Sequence, residues 1–394
     1  MPAHDGVAAT GIVRAERARD AVGARAGRPG AHGLAAMRAF AGAGAAKAEQ
    51  DAAGSGGPVR RRWRIGAPAR AALGVAALSA AAIGLAASPG ARAEGVSCAW
   101  TLAGTAPLRS DDGFISLRAT VSGRPVSFLV DTGSETGLLT PHAVSALGLP
   151  PDRAHRTQLQ GTGGTGWTVQ NALLPPIGLG GLVLPGGSVP VGPLPAMPVI
   201  APPVAGLIGA DLLSRFDVEF DLKQGRLLFW TRRSASVACA PPPNWSGRFD
   251  TLPMRLDHGR PVLTVRLDGR PMTALLDSGA RSRIVSVRAA ERDGVSAGVL
   301  AADPGGINAG VDGHESVYHW HRFRSLQVGT ERFARPVLTV APVAERFDML
   351  LGADWFSGRD VWISYASGAV FVRAAGSPAG AGDGNVPVVR DGSR

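Results

Sequence analysis

One phrase occurs twice in this 394-residue chain. Gly123-Arg-Pro-Val-Ser-Phe-Leu-Val-Asp131-Thr-Gly-Ser134 returns 146 positions later as Gly269-Arg-Pro-Met-Thr-Ala-Leu-Leu-Asp277-Ser-Gly-Ala280. A second block follows in the same order: Leu207-Ile-Gly-Ala-Asp211-Leu-Leu-Ser214 returns 143 positions later as Leu350-Leu-Gly-Ala-Asp354-Trp-Phe-Ser357. Two separated blocks that recur at nearly one period indicate a duplicated structural unit rather than chance matches. Each copy then has to bury a core of its own, and the chain is long enough for both to do so.

Within each copy, short apolar runs are separated by Gly and Pro. Phe114 to Val121 and Val126 to Val130 flank Ser122-Gly-Arg-Pro125, and Val262 to Leu267 and Met272 to Leu276 flank Asp268-Gly-Arg-Pro271, which predicts a hairpin in each copy. Each Asp then stands at the end of a strand buried on both faces, entering a turn whose Gly allows close backbone approach. Helical signal is confined to Pro141 to Leu147 and Val287 to Arg292. Asp217 to Phe229 and Asp360 to Val372 read as paired closing strands around Gly225 and Gly368. The expected class is all-β, with short, mostly antiparallel strands.

The flanking segments differ in kind. Residues 1–93 are rich in Ala, Gly and Arg, and they end in Arg60-Arg-Arg-Trp-Arg64, an apolar stretch from Ala71 to Ala87, and Ala91-Arg-Ala93. A basic region, an apolar region and an Ala-x-Ala site in that order read as a secretory signal cleaved after Ala93. The alternative is a membrane anchor through residues 71–87, for which the stretch is short. The chain carries 41 Lys/Arg and 31 Asp/Glu; its first 93 residues hold 13 and 5 of them, leaving a near-neutral 28 and 26. No basic cluster with interleaved aromatics remains, so nucleic acid is not an expected partner. The two cysteines, Cys98 and Cys239, are an even count in an exported chain and are expected to form one disulfide. The Pro-rich stretch before Trp245 is a linker, and the Gly/Ala/Ser-rich end is a tail. The expected organisation is a leader and signal over 1–93, a first domain over 94–240, a second over 241–374 and a tail over 375–394.

Two facing carboxylates cannot both ionise cheaply, so they share a proton; one activates a water while the other donates to a carbonyl, which is peptide hydrolysis without a covalent intermediate. Two copies of one fold about a pseudo-two-fold axis would deliver an equivalent Asp from each side. With both motifs and both Gly blocks in view, the chain resembles the pepsin and retropepsin aspartic proteases, and more narrowly the bacterial retropepsin-like aspartyl proteases in single-chain, tandem-domain form. The resemblance spans residues 108–231 and 248–373. It implies the acid protease fold: two retropepsin-like, closed barrel-like β-domains related by a pseudo-two-fold axis.

The resemblance also implies Asp131 and Asp277 as the catalytic pair, with the Thr132 and Ser278 hydroxyls interlocked beneath them and Gly133 and Gly279 giving amides to the carboxylates. Ser134 would hydrogen-bond its own aspartate; Ala280 offers no hydroxyl there, so the two aspartates are expected in unequal environments. Gly-rich hairpins would form flaps, with Gly163, Gly164 and Trp167 in the first and Gly313 and His314 in the second. No cofactor is implied, and the partner is a peptide or protein substrate of a monomeric, periplasmic or secreted endopeptidase. A membrane is a partner only if the signal stays uncleaved. Rival readings are an inactive peptide-binding module of the same fold and a protease active only as an intermolecular dimer.

Other patterns carry less. Gly161-x-Gly163-x-x-Gly166 spells a dinucleotide fingerprint, yet it follows a polar run, opens no helix and lacks the acidic residue about 20 positions on. His319 and His321 stand two apart in a strand-like run and would share one exposed face, so no metal site is expected. Ser134 and Ser278 have no histidine near their motifs, which argues against a nucleophilic triad. The export reading has a direct test: intact-mass measurement of the exported protein should give an amino terminus near Glu94 and a mass shift on reduction of a Cys98–Cys239 disulfide. Two free thiols, or retention of residues 60–93, would refute it.

Overall fold

The computed structural model describes residues 16–17, 100–161, 166–194, 197–232, 245, 247–309, 315–344 and 346–374. Short strands dominate, and the two copies build alike. In the first, Phe114–Val121 and Arg124–Val130 form an antiparallel hairpin. In the second, Arg260–Leu267 and Arg270–Leu276 do the same. Both turns are two-residue connections with left-handed backbone at each position: Ser122 and Gly123 have φ of 50° and 75°, and Asp268 and Gly269 have 49° and 86°. Such primed turns match the right-handed twist of the flanking strands, and Gly supplies the second positive φ without a Cβ penalty.

The strand that carries each Asp is then covered from the far side. Val204–Ile208 runs parallel to Arg124–Val130 and antiparallel to Leu138–Leu139. Met349–Leu351 runs parallel to Arg270–Leu276 and antiparallel to Ile284–Ser286. These parallel contacts depart from a purely antiparallel meander. They are possible because some 70 residues of intervening chain, from Val130 to Val204 and from Leu276 to Met349, provide the long crossover that parallel neighbours need. Wedged between neighbours, Val126 to Val130 and Ala274 to Leu276 are wholly buried.

The helices are short. Pro141–Leu147 and Val287–Arg292 occupy the predicted spans; Thr140 and Ser286 cap them by accepting the amides of Ala143 and Ala289. A third, Ala297–Ala302, starts at Ser296 and was not anticipated, since its small residues give no helical stripe. Among the described residues no helix is long and apolar enough to cross a membrane.

Each copy also projects a hairpin, Pro151–Gln160 with Gly166–Leu174 and Gly305–Ala309 with Glu315–Arg322. Glu16–Arg17 pairs antiparallel with Gln158 and Thr157 on the outer edge of the first. Cys98, Cys239, the apolar segment 71–87 and the tail 375–394 lie outside the described residues.

The lobes are joined by one antiparallel sheet of six strands, in the order Trp100–Asp111, Arg226–Arg232, Asp217–Asp221, Arg359–Ser364, Ala369–Ala374, Asp250–Asp257. Its central pair crosses between lobes, Val218 opposite Ile363 and Phe220 opposite Val361. Alternation assigns the two faces. Val218, Phe220, Leu227, Phe229, Val361, Ile363 and Val370 join the main core, and the Phe220 ring meets Phe356 at 4.9 Å. On the opposite face Leu228, Trp230, Trp362 and Phe371 form a separate cluster with Trp245, which follows the linker.

That outer face buries acids as well as indoles. Glu219 is 7% exposed and accepts the Nε1–H groups of Trp230 at 3.1 Å and Trp245 at 2.7 Å. Asp217 accepts the Ser364 hydroxyl at 2.6 Å and the Ala366 amide at 3.0 Å across the lobe boundary. Arg373 binds Asp360 at 2.7 Å and lies 4.7 Å over the Trp245 ring. Trp245 is therefore held at its edge by one lobe and on its face by the other. Trp245→Phe keeps an aromatic face for Arg373 but trims the indole and removes the donor to Glu219, so urea unfolding should show a loss of at least about 1–3 kcal/mol. An unchanged midpoint would mean that packing alone holds this residue.

Candidate active site

The two Asp-bearing strands end side by side at the lobe boundary, where Asp131 and Asp277 are each 0% exposed. Beneath them the loops interlock. The Thr132 hydroxyl donates to the Leu276 carbonyl at 2.6 Å and accepts the Ser278 amide at 3.0 Å. The Ser278 hydroxyl donates to the Val130 carbonyl at 2.6 Å and accepts the Thr132 amide at 3.1 Å. Each hydroxyl thus satisfies one amide and one carbonyl of the other lobe, four buried polar groups that would otherwise lack partners.

The glycines are required by the opposing carboxylate. A Cβ on Gly133 would collide with the carboxyl carbon of Asp277, and one on Gly279 with that of Asp131. Their amides serve the near carboxylate: Gly133 donates to Asp131 Oδ1 at 3.0 Å, and Gly279 and Ala280 donate to Asp277 Oδ1 at 3.0 and 3.1 Å. The Oδ2 atoms of both aspartates are buried with no protein donor among the described residues. One oxygen of each carboxyl is thus held by its own loop, and the other has no such partner among the described residues.

Ser134 behaves differently from the expectation. Its hydroxyl donates to the Thr136 carbonyl at 2.8 Å, tightening its own loop instead of reaching Asp131. The loop is braced from behind by the second repeated block, because the Ala210 amide donates to the Ser134 carbonyl at 2.8 Å. Asp211 in turn accepts the Gly137 amide and the Thr136 hydroxyl, both at 3.1 Å. In the second lobe Ala353 donates to the Ala280 carbonyl at 2.7 Å, while Asp354 binds Arg283 at 2.8 Å. The strand behind each loop therefore ends in a helical turn whose amides and carboxylate fix the loop.

Each lobe has a smaller apolar cluster that takes in the Asp-bearing strand and the projecting hairpin. Phe114, Leu129, Leu138, Leu159, Leu194, Val204 and Leu207 form one, with Trp167 of the first hairpin packed against them. Val262, Leu275, Ala280, Ile284, Phe347 and Leu350 form the other, with Tyr318 of the second hairpin. Gly163, Gly164, Gly313 and His314 lie outside the described residues. His319 and His321 are half-buried rather than on an exposed face, and His321 Nδ1 sits 2.7 Å from an Asp303 carboxylate oxygen. Among the described residues no group of three or more His, Cys, Asp or Glu side chains is arranged to hold a metal ion.

Arg260 was not anticipated. Its side chain is 0% exposed, and it approaches Glu135 of the other lobe at 3.4 Å and Asp257 at 2.5 Å. Comparison of the repeats could not flag it, because Phe114 stands at the equivalent position of the first copy.

Burial raises both carboxyls. Asp131 is pushed well above the ordinary value by burial first and then by the Asp277 charge and its contact with that side chain. Asp277 is raised by burial to about 6, moderated by the Ala280 and Gly279 amides, by Asp131 and by Arg260. Two buried acids so placed hold one proton between them over a range of pH.

Two outcomes follow for stability. Thr132→Val should strand the Leu276 carbonyl and the Ser278 amide at about 1–3 kcal/mol each in denaturant titration, whereas Thr132→Ser should retain most of that. The second concerns pH. A carboxyl whose folded pKa is raised weakens the fold when ionised, a penalty that grows as pH rises through the ordinary carboxyl range toward the folded pKa and vanishes below that range. Asp131, Asp277, Asp211, Asp217 and Glu219 are all raised, with burial the largest cause. The thermal midpoint should therefore rise on acidification from about pH 8 to about pH 5, and a fall would contradict these placements.

The aspartyl protease family model matches this chain twice, over residues 117–212 and 263–355. No curated protein sequence matches it. Among solved structures, the crystal structure of basic 7S globulin from soybean aligns over 69% of this chain and 95% of that chain, at 12% identity and a TM-score of 0.41. Each matched segment contains one Asp-Thr/Ser-Gly loop and one Gly-Ala-Asp block, so both halves of the interlocked site fall inside a match. Two segments of this chain, each holding one half of the interlocked site, are thus similar to the aspartyl protease family, in an all-β, two-domain fold of the acid protease kind.

Proposed function

We propose that the protein is an exported aspartic endopeptidase that hydrolyses peptide bonds with water activated between Asp131 and Asp277. The observation that carries this reading is the pair of buried carboxyls, each with Oδ1 held by loop amides and Oδ2 without a protein donor among the described residues. One carboxylate takes a proton from water as it attacks the peptide carbonyl, while the protonated partner donates to the carbonyl oxygen. The proton then passes to the leaving nitrogen, and the pair returns to its one-proton state.

Export rests on the basic, apolar and Ala-x-Ala sequence before Glu94, with the protein acting in the periplasm or outside the cell. Cleavage there would remove the Glu16–Arg17 strand and open that edge of the first hairpin. Both halves of the site lie in one chain and share a six-stranded sheet, so a single molecule should suffice, acting on peptides or proteins without a cofactor.

Incubation of the purified protein with a peptide library at several pH values should give cleavage that a transition-state-mimicking aspartic protease inhibitor blocks. Asp131→Asn and Asp277→Asn should each abolish it while leaving the fold intact, because an amide cannot share the proton or activate water. Hydrolysis that survives in either variant would refute the shared-pair mechanism. Absence of cleavage at every pH would favour a peptide-binding module. Specific activity that falls on dilution, as a dimer gives way to monomer, would favour pairing between molecules.

A further inference from the structure

The two repeats present the same outer sheet face with different chemistry. In the second copy Pro271, Arg266, Gln327 and Arg332 stand opposite one another on four adjacent strands. In the first copy Pro125, Thr120, Gly178 and Val183 stand in the same register. Both rows face outward, because the residues that alternate with them, Val265, Leu267 and Leu326 in one copy and Ala119, Val121 and Ile177 in the other, belong to the core. Arg266 and Arg332 are exposed, as are Thr120 and Val183. A neutral row in one copy is therefore a cationic row in the other.

The fold does not need these guanidiniums, since the first copy builds the same sheet with Thr and Val. Gly178 has no room for a side chain, as a Cβ there would collide with the Thr120 hydroxyl. Gln327 stands in its place and turns its amide to the Gly329 carbonyl at 3.0 Å. Among the described residues Arg266 meets a carbonyl, that of Gly269 at 3.0 Å, and no carboxylate, and Arg332 meets neither. Arg324, 79% exposed at the start of the Gln327 strand, adds a third cation, 3.2 Å from Asp268. Arg255 adds a fourth; it is exposed and stands opposite Val262, which alternates with Thr264 and Arg266 and packs in one cluster with Ala280 of the catalytic loop. The acids at the ends of these strands, Asp257 and Asp268, are engaged by Arg260 and Arg324.

We propose that this arginine face docks an acidic stretch of a polypeptide substrate, a role that rests on the protease reading of the catalytic pair. Guanidinium forks take carboxylates through paired hydrogen bonds. Adjacent strands lie about 4.8 Å apart, so Arg266 and Arg332 stand about 10 Å apart. An unfolded acidic chain in polyproline II conformation repeats its side-chain direction about every 9 Å, close to that spacing. The row carries no aromatic or large aliphatic side chain to enter a lipid surface or stack on a base, which favours a soluble polypeptide over a membrane or a nucleic acid. Pro271 lies six residues before Asp277 on one strand, which puts the row about 20 Å from the catalytic loop. The acidic stretch is therefore set apart from the bond to be cut by at least about six residues.

The test measures binding and cleavage separately on the purified full chain. In fluorescence anisotropy at low salt, a labelled peptide containing a run of glutamates should bind, its glutamine counterpart should not, and added salt should release it. Arg266→Gln combined with Arg332→Gln should weaken binding about five- to tenfold. Arg118→Gln, on the corresponding face of the first copy, should leave it unchanged; the basic leader is common to all of these chains. Two peptides alike about the scissile bond but carrying a distant Glu or Gln flank should differ in KM by a similar factor at equal kcat, and the double variant should treat them alike. Equal binding by wild type and double variant overturns the proposal, as does an equal loss in Arg118→Gln or a KM indifferent to the flank. Vesicles of phosphatidylglycerol or inorganic polyphosphate that bind this face more tightly than the peptide overturn it too. Should no peptide be cut, the protease reading falls, while anisotropy still decides whether the face takes acidic chains.

Discussion

Everything at the centre of this molecule depends on two hydroxyls that cross between lobes. Thr132 and Ser278 each bind a carbonyl and an amide of the opposite Asp-bearing strand, which locks the two strand ends together at the depth where water does not reach. Because the loops are tied this closely, Gly133 and Gly279 come against the opposing carboxyls, and any side chain there would force the lobes apart. The proximity that makes two acids share a proton is thus set by hydroxyl bonding below them, not by attraction between them.

Such proximity costs stability, since two carboxyls are buried next to each other with two oxygens unsatisfied by donors among the described residues. The six-stranded sheet between the lobes opposes that cost. Its inner face fuses both cores through Phe220, Phe356, Val361 and Ile363, and its outer face closes over Trp230, Trp245 and Trp362. Buried acids recur on that outer face, where Glu219 lies between two indole donors and Asp217 reaches Ser364 of the other lobe. The seam therefore shares with the site a preference for conditions in which carboxyls take up protons.

Much of this was legible in the order of residues. The paired phrases named Asp131 and Asp277 and placed them at strand ends; the Gly-Arg-Pro segments marked the hairpins, and Pro141 to Leu147 and Val287 to Arg292 marked the helices that Thr140 and Ser286 cap. Those signals are local: a turn needs Gly at a positive φ, and a cap needs a hydroxyl three residues before an amide. The second repeated block was legible as a repeat, and the family resemblance implies a strand behind each loop, but its particular bonds to Ser134 and Thr136 were not, since they span some 75 residues of chain. Ser134 was assigned to its aspartate on family resemblance, and a nearby carbonyl took the hydroxyl instead.

The sequence by itself determined that there are two equivalent units, that each ends a buried strand in Asp-Thr/Ser-Gly, and that two such ends invite acid–base chemistry. Only the tertiary structure decided how the units differ. Arg260 and Phe114 occupy one position in the repeat, yet one brings a buried charge beside Glu135 and the other a ring beneath Arg281. A repeat shows what its copies have in common. Which of two identical carboxyls holds the proton depends on the field of groups brought near by folding, and that field follows distance in space, which the spacing of residues along the chain does not contain.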